Sequence, residues 1–186
     1  MNKKGNAGVV LTLIGIFLFM MFVFVLSITT GLFKFAIDST YNALIENSDA
    51  IQNAVGDSNN ATQIIDDSFG KVRTSYESMK WLTVMLIMGM FISILMLNFL
   101  VRLHPAWFMV YFFIGIVALV MSFPMANTYE QIYANPDLAS SYTGFFGMNF
   151  ITLNLPYWVA GLFFLGGIIM LINMVRANAG SGGLPI

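Results

Sequence analysis

Few side chains in this sequence could carry out chemistry, and they do not cluster. His104 is the only histidine, and the chain has no cysteine. Cysteine nucleophiles, disulfides and thiolate metal sites are therefore excluded. We interpret His104, which stands just before Pro105, as a loop residue, since it has no second His or Cys to act with. The sequence predicts no enzymatic activity, no catalytic residue, no metal site and no cofactor.

Methionine is the one potential ligand present in number, with 14 residues. Met85 and Met88, for example, are one helical turn apart, a spacing at which thioethers could bind Cu(I). Adaptable packing is the more frequent use of methionine in apolar helices. The outer loops also lack a cluster of Met and His that would capture the ion. We therefore interpret the methionines as packing residues.

The composition predicts an integral membrane protein. Of the 186 residues, 58% are hydrophobic and 9% are charged, whereas a soluble domain usually carries about 25% charged residues. The formal net charge is −1, so bulk charge gives no reason to expect a nucleic-acid partner. The lipid bilayer is the first expected partner.

Four apolar runs are long enough to cross ~30 Å of hydrocarbon as helices. None contains Asp, Glu, Lys, Arg or His, which argues against ion-coupled transport and proton pumping. The predicted fold is all-α integral membrane, with four transmembrane helices and an extracytoplasmic helical hairpin between spans 1 and 2. Its predicted parts are a cytoplasmic N-terminus (1–8), span 1 (9–33), the hairpin (38–80), span 2 (81–101), a cytoplasmic loop (102–106), span 3 (107–125), an extracytoplasmic aromatic loop (126–156), span 4 (157–175) and a cytoplasmic tail (176–186).

The long polar stretch 38–80 holds seven of the nine acidic residues. Apolar residues recur in it at helical spacing on both sides of a turn-forming sequence at 56–60, which indicates two helical arms. The second arm carries a short heptad stripe, in which the steps are four, three, four and three residues. We interpret this stripe as the seam between the two arms and as the first candidate interaction surface. The stripe runs through Ile65, Phe69, Val72, Tyr76 and Met79, and its first four residues are the candidate interaction residues.

The second outer loop begins polar and becomes apolar and aromatic. Gly144 and Gly147 argue against one long helix there. An interfacial or re-entrant segment, buried against the bundle or lying among the headgroups, is the predicted structure. Phe145 and Phe146 are the candidate docking residues of this loop.

The basic residues predict the orientation. Lys3, Lys4, Arg102 and Arg176 fall on one side with no acidic residue among them. The nine acids fall on the other side together with the remaining four bases, two of which lie within the longer loop. Short cytoplasmic segments are enriched in Lys and Arg, so the acid-free side is predicted to be cytoplasmic, with both termini. The expected location is the plasma membrane of a prokaryote or the internal membrane of a virus.

Three functions follow as hypotheses. The favoured one is a structural protein that assembles with itself or with other membrane subunits through the hairpin and spans, for example as a scaffold in a virion membrane. A second is an accessory subunit of a larger membrane enzyme complex. A third is a passive oligomeric pore, lined by the intramembrane amides of Asn98 and Asn173. We favour another interpretation of these two amides, namely a hydrogen bond between helices or solvation at the membrane interface.

Overall fold

A computed structural model describes residues 3–55, 60–100 and 105–180. These residues are helical almost throughout and contain no strand. A π-helical turn, Asp66–Gly70, connects the third helix to the fourth. The helices are α1 (Lys3–Glu46), α2 (Ser48–Val55), α3 (Ala61–Ile65), α4 (Lys71–Ser78), α5 (Lys80–Leu100), α6 (Pro105–Tyr133), α7 (Pro136–Thr143), α8 (Phe146–Leu153) and α9 (Leu155–Gly180).

The prediction of an all-α protein with four potential membrane spans is confirmed. Four helical stretches are long and apolar enough to cross a bilayer: Gly8–Glu46, Ala61–Leu100, Trp107–Tyr133 and Leu155–Arg176. α1 has 44 residues, which gives it a length of about 66 Å at 1.5 Å per residue. Because hydrocarbon is only about 30 Å thick, α1 must extend well beyond it.

The long helices pack into one bundle. α6 lies against α9 and α1, and α5 lies against the same two helices. Ile16, Phe19, Ile87 and Leu162 are among the large side chains buried between them. In lipid, helices associate through close packing and hydrogen bonds rather than through the removal of apolar surface from water. The outer face is largely apolar and exposed, as a surface in contact with lipid would be.

α6 continues past Pro124 as far as Tyr133, so residues 126–133 are helical where the sequence predicted the start of a loop. Proline removes one backbone donor and crowds the preceding turn. Helices in membranes tolerate it because neighbouring groups satisfy the released carbonyls. Two residues before the proline, the Ser122 hydroxyl donates to the Leu119 carbonyl at 2.6 Å.

The rest of the predicted aromatic loop forms the two short helices α7 and α8. The Asn135 side chain accepts a hydrogen bond from the Asp137 backbone N–H at 3.0 Å, and Pro136 takes the first turn, so α7 begins with a standard cap. α8 contacts all four long helices and therefore lies between them. Of the two predicted environments, burial against the bundle is the one observed.

Candidate functional site

An ionic cluster around buried Lys34 connects α1 to α4. Lys34 is buried; its ammonium lies 2.8 Å from the Asp38 carboxylate, one turn along α1, and 3.6 Å from Glu77 on α4. The Arg73 guanidinium lies 2.8 Å from the other oxygen of Asp38. Asp38 is thus shared between two cations from two helices. This arrangement balances two positive charges with two negative ones and fixes the position of α4 beside α1.

Aromatic hydroxyls extend the same contact. Arg73 also lies over the ring of Tyr41, at 5.2 Å from the ring centre, and the Tyr41 hydroxyl donates to Asp66 at 2.6 Å. Nearer the apolar part of α1, the Tyr76 hydroxyl donates to the Thr30 carbonyl at 2.8 Å. These polar contacts therefore join α1 to the 61–79 segment.

The predicted apolar stripe is not the seam. Ile65 is buried and Tyr76 is half-buried, but Phe69 is 41% exposed and Val72 is 51% exposed. The physical reason is the π-helical turn Asp66–Gly70, which interrupts the 3.6-residue register on which the heptad spacing was counted. Ion pairs and hydroxyl hydrogen bonds join α1 to the 61–79 segment, where the sequence predicted apolar packing.

A second polar network lies where α7 and α8 enter the bundle. The Tyr129 hydroxyl donates to the Asn149 side-chain oxygen at 2.5 Å, and the Asn149 amide donates to the Tyr142 carbonyl at 2.6 Å. The hydroxyls of Ser27 and Thr152 are 2.6 Å apart. Burial, and then the neighbouring Tyr76, raise the pKa of the Tyr142 phenol above its usual value. The Tyr142 hydroxyl donates to the Ile28 carbonyl at 3.2 Å.

The two candidate pore amides meet at the other end of the bundle. Asn173 donates to the backbone carbonyls of Asn98 and Phe99, both at 3.1 Å. Asn98 is 0% exposed, and its side-chain amide has no hydrogen-bond partner among the described residues. A Cβ on Gly166 would lie 2.6 Å from that amide and 2.8 Å from the Tyr111 hydroxyl. The Asn98 amide therefore sits inside one bundle, and a pore between copies of the chain would not be lined by it.

Sequence reasoning missed Tyr111. Its hydroxyl donates to the Phe163 carbonyl at 2.8 Å and joins α6 to α9. Inside a long apolar run, a tyrosine carries no periodic or motif signal that separates it from the neighbouring phenylalanines. Its role is visible only in the structure, where the hydroxyl faces the backbone of α9.

The two docking candidates of the aromatic loop have opposite environments. Phe145 is 2% exposed, and its ring packs against Tyr76 at 5.9 Å between ring centres, whereas Phe146 is 79% exposed. Only Phe146 remains available to a partner. Exposed Phe150 and Tyr157 lie on the same surface region of α8 and α9.

Within residues 3–55, 60–100 and 105–180 there is no group of three His, Asp or Glu side chains that could hold a metal ion. His104 and Arg102 lie outside these residues. Comparison of the chain with known protein families, curated proteins and solved structures finds no match. Four long apolar helices nevertheless define the class, a helical membrane protein.

Proposed function

We propose that the protein is a non-enzymatic structural membrane protein that assembles with copies of itself. The contact surface is the exposed apolar face of the 61–79 segment, formed by Ile64, Phe69, Val72 and Met79. The observation that carries the proposal is the exposure of these four large side chains in a stretch rich in charged residues. We call this surface the arm face.

The arm face requires a partner because it lies outside the hydrocarbon. The charges at positions 66, 67, 71, 73 and 77 place the segment in water or among headgroups, within an external hairpin formed with the end of α1. Contiguous apolar surface in water marks an interaction site. Lipid cannot cover the arm face as it covers the exposed side chains of the spans.

A second copy is the occupant that the charges favour. Asp67 and Lys71 form an exposed pair, 2.9 Å apart, beside the arm face. Copies in one membrane share an orientation, so a neighbour rotated about the membrane normal can place its Lys71 against Asp67. Because this surface carries both a negative and a positive charge, two copies of it can pair opposite charges.

The ionic cluster prepares the arm face for this contact. Asp38 binds both Lys34 and Arg73, and Tyr76 binds the backbone of α1. Because the segment is held against α1 before assembly, little conformational freedom is lost when copies meet. The ionic cluster and the arm face thus have complementary roles.

Native mass spectrometry of protein extracted in mild detergent tests the proposal with a matched pair of variants. Val72→Glu places a charge in the arm face, whereas Thr74→Glu places it at an exposed polar position of the same helix. We expect wild type and Thr74→Glu to form oligomers with masses of two or more times the 20.7 kDa of one chain. Val72→Glu should be monomeric, because an unpaired charge buried at an interface costs about 2–5 kcal/mol. A wild-type monomer, or equal masses for the two variants, would refute self-assembly.

The accessory-subunit function keeps one supporting observation. Phe146, Phe150 and Tyr157 form an exposed aromatic surface near the start of α9, where a different membrane subunit could dock. The same experiment distinguishes this function, since a defined mass that contains foreign subunits would replace a multiple of the chain's own mass. A passive pore has less support, because Asn98 is enclosed within a single bundle.

A further inference from the structure

We propose that the bundle binds one buried water molecule between α1 and α5, held by the hydroxyl of Thr12 and the side-chain amide of Asn98. Both side chains are 0% exposed. Within residues 3–55, 60–100 and 105–180, the Thr12 hydroxyl and both polar atoms of the Asn98 amide have no hydrogen-bond partner. The site lies inside a single chain, so the inference does not depend on self-assembly.

α1 and α5 pack against each other along a regular line of contacts. The ring centres of Phe19 and Phe91 are 5.9 Å apart. Four residues earlier on α1 and three residues later on α5, a Cβ on Gly15 would lie 3.4 Å from the Ile94 side chain. As residue numbers fall along α1 they rise along α5, so the two helices are antiparallel. Steps of three and four residues keep the same face of each helix in the contact.

The next step along this line brings the two polar groups to the same level. Three residues before Gly15 is Thr12, and four residues after Ile94 is Asn98. The two side chains therefore face each other across the contact, yet no direct hydrogen bond joins them. A water molecule between them can accept a hydrogen bond from one group and donate to the other, which would satisfy both.

A third polar group lies beside the amide. A Cβ on Gly166 would be 2.6 Å from the Asn98 amide nitrogen and 2.8 Å from the Tyr111 hydroxyl oxygen, so these two atoms are close together. The Tyr111 hydroxyl donates to the Phe163 carbonyl, and its oxygen can still accept a hydrogen bond. A buried water typically makes about three hydrogen bonds, and Thr12, Asn98 and Tyr111 offer that number.

The lack of charge in the spans favours a neutral ligand. The four predicted spans contain no Asp or Glu, so a metal ion at this site would be a buried charge without a counterion, which is highly unfavourable. An amide without any partner is unfavourable too, because the hydrocarbon around the bundle supplies neither donor nor acceptor. Water is the smallest neutral molecule that can both donate and accept.

A crystal structure of the protein in lipid, at a resolution that shows ordered water, tests the site directly. We expect one water oxygen within about 2.7–3.2 Å of both the Thr12 hydroxyl and the Asn98 amide. The Asn149 amide is the internal control: it is also buried, but it accepts from Tyr129 and donates to the Tyr142 carbonyl, so it should bind no water. A direct hydrogen bond between Thr12 and Asn98, or no water in contact with both, would overturn the proposal.

Two variants and their combination measure what the shared water contributes. Thr12→Val and Asn98→Leu each remove a polar group at nearly constant volume, and Asn98→Leu keeps the Asn173 contact, which uses the backbone carbonyl of residue 98. Each single variant leaves the water with fewer partners and should lower the melting temperature by about 2–4 °C. The double variant should lose less than the two single losses together, because both act on one ligand. Additive losses, or a single variant that keeps or raises the wild-type melting temperature, would refute a shared water.

Discussion

At the scale of single residues, Asp38 is the side chain that joins the two cations of the ionic cluster. It binds Lys34 and Arg73, which come from different helices, and Lys34 is buried. Removing the carboxylate partner of a buried cation destabilises the folded state much more than removing the partner of an exposed cation, because water cannot replace the carboxylate at a buried site. Asp67, which pairs with exposed Lys71 at 2.9 Å, makes the same kind of contact without burial.

We expect Asp38→Asn to destabilise the protein by about 2–4 kcal/mol, since it leaves Lys34 with only Glu77. The matched control, Asp67→Asn, should change stability by no more than about 0.5 kcal/mol, because exposed ion pairs contribute little. Thermal unfolding in detergent, followed by circular dichroism, measures both. Similar melting temperatures for the two variants would contradict a structural role for the cluster.

At the scale of elements, the contact between α1 and α7 depends on a glycine. A Cβ on Gly31 would overlap the ring of Tyr142, whereas a Cβ on Gly89 would meet nothing within 4 Å. The ring lies directly on the backbone of α1, and its hydroxyl reaches the Ile28 carbonyl there. Glycine is needed at position 31 to permit this approach, not to provide an unusual backbone angle.

Gly31→Ala should therefore destabilise the protein by about 1–3 kcal/mol, the usual cost of overpacking. Gly89→Ala should be neutral or should stabilise α5 by up to about 1 kcal/mol, because alanine is the better helix former. Adding Tyr142→Ala to Gly31→Ala should relieve the overlap, so the two changes should be non-additive. Additive losses of melting temperature would show that the ring and the glycine do not interact.

At the scale of the whole molecule, the placement of charge decides the orientation. The structure confirms four helices capable of spanning a membrane, and an even number of spans would put both termini on one side. The charges then favour cytoplasmic termini and an external 38–80 segment. Every acidic residue would lie outside, and the arm face with them.

Because the chain has no cysteine, single-cysteine variants test this orientation directly. Asn53→Cys and Arg176→Cys change two exposed positions. In intact cells, a membrane-impermeant maleimide should label Asn53→Cys and should label Arg176→Cys only after permeabilisation. The reverse pattern would invert the orientation, and labelling of both in intact cells would contradict an even number of spans.

The sequence by itself determined the class and the spans of this protein. A run such as 9–33 has no charge and is too long for a buried helix of a small soluble domain. The interpretation of this run as a potential membrane span does not depend on any other part of the chain. The same holds for the chemistry that is missing, since a chain without cysteine and with a single histidine excludes several mechanisms before it folds.

Only the tertiary structure decided which polar groups meet and which apolar groups remain exposed. Asp38 and Arg73 are far apart in the sequence, and nothing in either local pattern pairs them. The exposure of Phe69 and Val72 depends on a π-helical turn, which spacing counted at 3.6 residues per turn cannot reveal. The burial of α8 depends on a space between four helices that no single segment encodes. The pattern of apolar and polar residues along the chain predicts whether a segment lies in lipid or in water. Which side chains contact each other depends on how the segments pack in three dimensions.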